Sequence, residues 1–188
     1  MQETFRVWDV KMQDLPGLVE LGCNFIGKKQ TPDNVCDKAQ FYIESCKYRW
    51  PNEFDYDMER LIQDAKQRLD LCHLKSYANK GMVEIHNYNV NGKCKFVFGK
   101  HEDDYGGVDF CVNTVIYYLT KSDTIHGGDL VIGQEIINVR PLKDYYKVVC
   151  FAGDVTHDVT PMKGVGQRLS IVVQLFTNDR KQTNCVAI

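Results

Sequence analysis

Frequent interruption of the second half of the chain constrains the fold more than any other feature of the sequence. Between Val83 and Phe176, strand-like runs fall at 83–90, 94–101, 110–119, 128–133, 135–140, 146–151, 156–160 and 167–176. Turn sequences separate them: Asn91-Gly92, Gly106-Gly107, Gly127-Gly128, Pro141 and Gly164 to Gly166. Glycine and asparagine supply the positive backbone angles of tight reversals, and proline removes a ladder donor. Eight short strands in about ninety residues can bury apolar sides between two sheets that face each other. The pattern predicts a jelly-roll or double-stranded β-helix. In such a fold an early strand and a late strand lie side by side.

Residues 1–80 read differently, as helical. A short helix is expected from Leu15 to Lys28, after Pro16. T-P-D-N at 31–34 has the caps and first-turn proline of a helix start. Behind it, Val35, Ala39, Tyr42, Ile43 and Cys46 fall at helical spacing up to Pro51. Met58, Leu61, Ile62, Ala65, Leu69 and Cys72 share one face of a further helix, expected to stop near Lys80-Gly81. The expected fold class is therefore α+β. A double-stranded β-helix core of the jelly-roll, cupin-like kind spans 83–176, with the N-terminal helices packed on one sheet. No repeat, linker or low-complexity tract divides the chain, so 1–188 is expected to be a single domain.

Composition excludes several function classes. A formal net charge of −2 gives no electrostatic footprint for nucleic acid or an anionic membrane. No apolar run reaches the ~18 residues of a spanning helix, and the N-terminal MQETFRVWDVK lacks a signal-peptide core. The eight cysteines are scattered, without C-x-x-C pairs. They read as reduced thiols, and a cytoplasmic location follows.

The candidate chemistry lies in H-E-D at 101–103, in His157 at the end of F-A-G-D-V-T-H, and in R-L-S at 168–170. Strand side chains alternate with a period of two, so His101 and Asp103 share a face. If His157 lies beside them, two imidazoles and a carboxylate stand on one side of a metal. That set leaves coordination positions open and suits non-haem Fe(II) that activates oxygen. Arg168 and Ser170 again share a face, where a guanidinium and a hydroxyl can hold a carboxylate. A buried Arg168 would need such an anion, because a desolvated charge demands a partner. Each signal alone is weak, and the conjunction carries the specificity. The competing reading is a structural β-sandwich with incidental histidines. Of the other histidines, His73 reads as structural, near a helix end. His86 shares a face with Tyr88 and belongs either to the core or to the same cavity. His126, before a Gly-Gly turn, is expected to be exposed. Asp104 has the wrong strand parity to replace Asp103. The acidic residues Glu102, Asp104 and Asp109 could flank the pocket mouth or simply be solvated.

Residues 83–176, half the chain, resemble the Fe(II)- and 2-oxoglutarate-dependent dioxygenases, most closely their prolyl 4-hydroxylase-like branch. The matching phrases are HED at 101–103, NTVIYYL at 113–119, GGDL at 127–130, FAGDVTH at 151–157 and GQRLSIVV at 166–173. The resemblance implies that His101, Asp103 and His157 bind Fe(II). It implies that Arg168, assisted by Ser170, holds the distal carboxylate of 2-oxoglutarate, and that Tyr118 and Tyr88 reach the same co-substrate. Tyr88 stands a few residues farther from His101 than its counterpart in the hydroxylases. Strand parity groups Thr114 and Ile116 with Tyr118, so Thr114 joins the expected co-substrate residues, and Tyr117 is turned outward as a structural residue.

The implied activity couples oxidative decarboxylation of 2-oxoglutarate, to succinate and CO2, with hydroxylation of a C–H bond. O2 is the oxidant and ascorbate the expected reductant. The expected substrate is a prolyl or other amino-acid residue in a protein or peptide. The alternative is a free amino acid or small metabolite. An AlkB-type nucleic-acid dealkylase fits less well, because that family carries a second arginine where this chain has Gln174. A cupin-like protein that binds a sugar or metal without turnover is the non-enzymatic alternative, and it would need no arginine clamp. No nucleic-acid partner and no membrane span are expected. The sequence leaves the oligomeric state open. The final C-V-A-I at 185–188 has the form of a prenylation box, read here as chance.

Overall fold

The computed structural model describes residues 5–26, 36–43, 55–71, 80–91, 99–103 and 110–177. In chain order these form β1 (Phe5–Lys11), a 3-10 turn (Met12–Asp14), α1 (Leu18–Ile26), β2 (Cys36–Ile43) and α2 (Asp55–Leu71). Then follow β3 (Lys80–Asn91), β4 (Phe110–Lys121), β5 (Ile125–His126), β6 (Leu130–Ile132), β7 (Glu135–Ile137), β8 (Tyr145–Ala152), β9 (His157–Val159) and β10 (Lys163–Thr177). The larger sheet runs β1-β8-β4-β10-β3-β2, with β5 paired to the start of β10. The smaller runs β7-β6-β9. All pairings are antiparallel.

Period-two alternation along β10 divides the interior into two layers. Leu169, Ile171, Val173 and Leu175 join Val83, Ile85, Val115, Tyr117, Leu119, Val148 and Cys150 in a core under the helices. Leu18 and Leu21 of α1, with Leu61, Ile62, Ala65 and Leu69 of α2, complete it. The leucines are almost fully buried, and each contributes roughly 1.5–3 kcal/mol by leaving water. The expectation of helices packed on one sheet is met here. At Gly22 of α1 an added Cβ would lie 3.1 Å from Leu169, so glycine permits this close approach of helix to sheet.

The opposite face of the large sheet meets the small sheet. Ile116, Tyr118, Val149, Phe151 and Val172 pack against Leu130, Ile132, Ile137 and Val139. Two packed antiparallel sheets with few helices make a jelly-roll-like body. The candidate site lies in this inter-sheet space. Gly127 and Gly128 both have positive φ, and a Cβ at Gly127 would come within 2.0 Å of the Pro161 carbonyl oxygen. That close passage feeds Asp129 to Lys121, whose Nζ is 2.8 Å from Asp129 Oδ1.

The first eighty residues depart from a uniformly helical reading. Phe5–Lys11 is a strand paired with β8, and Cys36–Ile43 is a strand on the outer edge of β3. Ala39 and Ile43 fit a helical template, yet Ala39, Phe41 and Ile43 also alternate at period two. Short apolar runs satisfy both patterns. The unpaired edge of β3 decides between them, since an exposed edge leaves main-chain groups unsatisfied. The second helix ends at Leu71, and Lys80-Gly81 already begins β3. Tyr117 does turn away from the inter-sheet space, but it is fully buried rather than exposed. Its hydroxyl donates to Asp64 of α2 at 2.6 Å. Burial first, and Asp64 second, raise its pKa well above the ordinary tyrosine value. The capping sequence 31–34, the strand portion 94–98, His73, Asp104, Asp109 and the C-terminal C-V-A-I lie outside the described residues. Among the described residues, no helix is long and apolar enough to cross a membrane.

Candidate active site

The site is assembled by backbone pairing before side chains enter. His101 and His157 exchange two main-chain hydrogen bonds, of 2.9 Å and 2.8 Å, as an isolated antiparallel bridge. Asp103 N donates to Gly153 O at 3.0 Å, which ties the second ligand position to the turn after β8. Around the bridge the period-two rule holds: Glu102 is exposed, whereas Asp103 is buried. Nε2 of His101 lies 3.9 Å from Asp103 Oδ1, and Nε2 of His157 lies 3.8 Å from the same atom. One ligand atom from each of the three residues falls within 4.8 Å of the others.

Each donor is also oriented. A carbonyl oxygen only accepts, so His101 Nδ1 donates to Gly99 O at 2.8 Å and His157 Nδ1 donates to Val155 O at 3.0 Å. In a neutral ring with Nδ1 protonated, the lone pair is on Nε2, beside Asp103 Oδ1, the usual arrangement of metal-ligating histidines. Thr114 donates its hydroxyl to Asp103 Oδ2, which leaves Oδ1 turned to the imidazoles. Burial pushes the His157 pKa below its ordinary value, against the upward pull of the Val155 carbonyl and Asp103. A neutral imidazole is the form a metal needs. Phe151 covers His157, with ring centroids 4.7 Å apart.

Along the large sheet lies the second part of the site. Arg168 is 3% exposed and Ser170 2%. Register places Arg168 opposite Tyr88 and Lys121, and Ser170 opposite His86 and Tyr118. The guanidinium lies 5.2 Å from the Tyr88 ring centre and 4.9 Å from that of Tyr118. Among the described residues, Nε of Arg168 has no hydrogen-bond partner. Burial raises the Tyr118 pKa to about 12, against the lowering effect of the Arg168 charge and hydrogen bond, so the phenol stays a donor.

On this same face the sequence did not single out Glu84, and Gln174 entered only as the position where a nucleic-acid dealkylase carries its second arginine. Glu84 is 8% exposed and hydrogen-bonded to His86 at 2.7 Å. Gln174 is 4% exposed, with Oε1 unpartnered, one strand over from Thr114. The signal was available in the alternation Glu84, His86, Tyr88 and Arg168, Ser170, Val172, Gln174. His86 is buried on the pocket side, and His126 is exposed as expected. Glu102 is exposed and accepts a hydrogen bond from the Thr156 hydroxyl at 2.8 Å.

No protein-family model and no curated protein matches the sequence. Solved structures do match. A 2OG-Fe(II) oxygenase family oxidoreductase from Burkholderia pseudomallei superposes with a TM-score of 0.65 at 13% identity, covering 94% of this chain and 85% of that one. The fold is that of the 2OG-Fe(II) oxygenases. A Trichoplax adhaerens prolyl hydroxylase, in complex with a hypoxia-inducible-factor peptide, shares the oxygenase fold at a TM-score of 0.59 and 15% identity, over 98% and 87% of the two chains. The viral collagen prolyl hydroxylase of Paramecium bursaria Chlorella virus-1, a 2OG complex, gives 0.58 and 13%, over 93% and 96%.

Proposed function

We propose that this chain is an Fe(II)- and 2-oxoglutarate-dependent dioxygenase that hydroxylates a prolyl or other amino-acid residue of a protein or peptide. On this reading its two sheets are a double-stranded β-helix and residues 1–188 a single domain. The observation that carries it is a pairing: three oriented ligand atoms within 4.8 Å, and, on the large sheet, a buried guanidinium whose Nε has no partner among the described residues.

The residues fit both absent groups. Two imidazole nitrogens and one carboxylate oxygen are the donor set of a facial Fe(II) site. Arg168, whose Nε has no partner among the described residues, with the Ser170 and Tyr118 hydroxyls beside it, is the environment a carboxylate requires. His101, Asp103 and His157 would hold the iron, while Arg168, Ser170, Tyr118 and Tyr88 would hold 2-oxoglutarate. Bound iron supplies the redox chemistry, in which O2 and 2-oxoglutarate yield succinate, CO2 and a hydroxylated C–H carbon. The chain's own contribution is orientation and exclusion of water. Thr114 fixes the Asp103 carboxylate, the Gly99 and Val155 carbonyls fix the rings, and Phe151 with Ile116 and Val172 lines the space between the sheets. The prolyl hydroxylases among the structural neighbours, one of them in complex with a peptide, are what supports a peptidyl substrate.

The test is succinate formation from 2-oxoglutarate with Fe(II), ascorbate and air, together with a one-oxygen mass gain in proline-rich peptides. Turnover that disappears in His157→Ala and Arg168→Ala is expected. Absence of succinate, with metal binding that ignores His157→Ala, would overturn the proposal.

A further inference from the structure

Beside the metal and anion groups, β3 carries a buried polar row that neither of them accounts for. Glu84, His86 and Tyr88 are 8%, 8% and 1% exposed and alternate on the inter-sheet face. Glu84 Oε2 lies 2.7 Å from His86 Nε2. His86 Nδ1 lies 3.2 Å from the Tyr88 hydroxyl, with the two rings edge-on at 85°. The face of Tyr88 meets the Arg168 guanidinium. The row thus begins at a carboxylate and ends at the candidate anion pocket.

The direction of these hydrogen bonds is constrained. With Glu84 ionised, its carboxylate only accepts, and His86 Nε2 then carries a proton. Nδ1 is then either bare or protonated. If bare, it takes the single proton of the Tyr88 hydroxyl, and Tyr88 then has no hydrogen to offer a carboxylate bound at Arg168. If protonated, Nδ1–H donates to the Tyr88 oxygen, and the hydroxyl proton is released toward the pocket. A carboxylate arriving at Arg168 needs donors and is repelled by lone pairs. It also cancels the Arg168 charge, which had disfavoured a second cation nearby.

Taking Arg168 to be the co-substrate's carboxylate site, we propose that Glu84 and His86 are positioning residues that act through Tyr88. When the diacid binds, His86 takes up a solvent proton at Nδ1 and donates it in a hydrogen bond to the Tyr88 oxygen. The Tyr88 hydroxyl is then aimed at the bound carboxylate. No bond other than these N–H and O–H contacts changes. Among the described residues, the charged and polar groups near His86 include Glu84 and Tyr88 on its own strand and Arg168 and Ser170 on β10. Tyr118 lies across the guanidinium, and Lys38 stands at the register position opposite His86 on β2. Ile125 and Met162 pack on Tyr88 without adding charge.

The experiment is calorimetric titration of the Mn(II)-loaded protein with 2-oxoglutarate, without oxygen, near neutral pH in two buffers of different ionisation enthalpy. Wild type is expected to take up a measurable fraction of a proton per site. His86→Gln, Glu84→Gln and Tyr88→Phe are each expected to abolish that uptake and weaken binding by about tenfold. In the Tyr88→Phe background, His86→Gln is expected to weaken binding no further, because both act through one hydroxyl. Uptake that persists in the folded Glu84→Gln or His86→Gln protein would overturn the proposal, as would penalties that multiply in the double variant. Melting curves report folding of each variant, and the near-isosteric Glu84→Gln serves where His86→Gln does not fold. Failure of the parent reading looks different: wild type and Arg168→Met would then bind 2-oxoglutarate equally or not at all.

Discussion

Replacing Arg168 by methionine separates what the guanidinium does for the fold from what it does for a ligand. The side chain is 3% exposed, and its Nε has no acceptor among the described residues. Its compensation comes from two aromatic faces, at 5.2 and 4.9 Å, and the Tyr118 hydroxyl. Desolvating the charge costs several kcal/mol, and a similar-sized apolar side chain at such a site is typically neutral or stabilising by about 1–4 kcal/mol. Arg168→Met therefore yields a ligand-free protein at least as stable as wild type. The ligand response reverses the order. At a hundredfold excess over Kd a ligand adds about 2.7 kcal/mol to the native state. In a chain of this size each kcal/mol moves Tm by about 2–4 °C. Wild type with Mn(II) and excess 2-oxoglutarate should therefore melt roughly 5–11 °C higher than without the acid, and Arg168→Met should not shift. Paired melting curves with and without the acid decide the matter. A variant that melts well below wild type without ligand would mean that the guanidinium is structurally satisfied. An undiminished shift in the variant would place the diacid elsewhere.

Thr114→Val removes the hydroxyl that fixes Asp103 and should weaken Mn(II) or Fe(II) affinity by about 10–100-fold at little cost in stability, as read by competition with a chelating dye. Gln174→Met eliminates a buried carboxamide without an Oε1 partner and should stabilise the ligand-free protein by about 1 kcal/mol in urea unfolding; a destabilised variant would refute that assignment. Tyr118 keeps its proton to about 12, whereas an unfolded chain releases it near 10. The folded state then holds more protons across this window, so stability from Tyr118 is complete below pH 10 and falls as pH rises toward 12. Absorbance at alkaline pH should show Tyr118 ionising only with unfolding, and a normal titration in the still-folded protein would contradict its burial.

Period-two arithmetic accounts for most of what the sequence revealed. It placed β3, β4, β8 and β10, and it put His101 with Asp103 and Arg168 with Ser170 on common faces, as the structure has them. The meeting of His157 with His101 needed a fold as well, because strand parity says nothing about which strands become neighbours. β2 escaped because Ala39 and Ile43 satisfy two periodicities, and pairing with the edge of β3 settles the choice. Thr114 was grouped with the co-substrate residues from parity alone; the hydrogen bond that gives its hydroxyl to Asp103 depends on a segment eleven residues away along the chain. Glu84 was overlooked, and the burial of Gln174 was not foreseen, for a related reason. A polar residue among apolar ones reads as surface until both sheets are in place and close over it.

The paired backbone bridge between His101 and His157 has a bearing on how such a centre tolerates change. Because the two residues exchange amide hydrogen bonds directly, the spacing of their Cα atoms is a property of the main chain and survives replacement of either ring. A His157→Gly protein would retain the socket, so free imidazole supplied in solution could reoccupy the vacated place. The same rigidity makes the bridge a ready mount for foreign donors, with two adjacent thiols or carboxylates inheriting a separation they did not evolve to set.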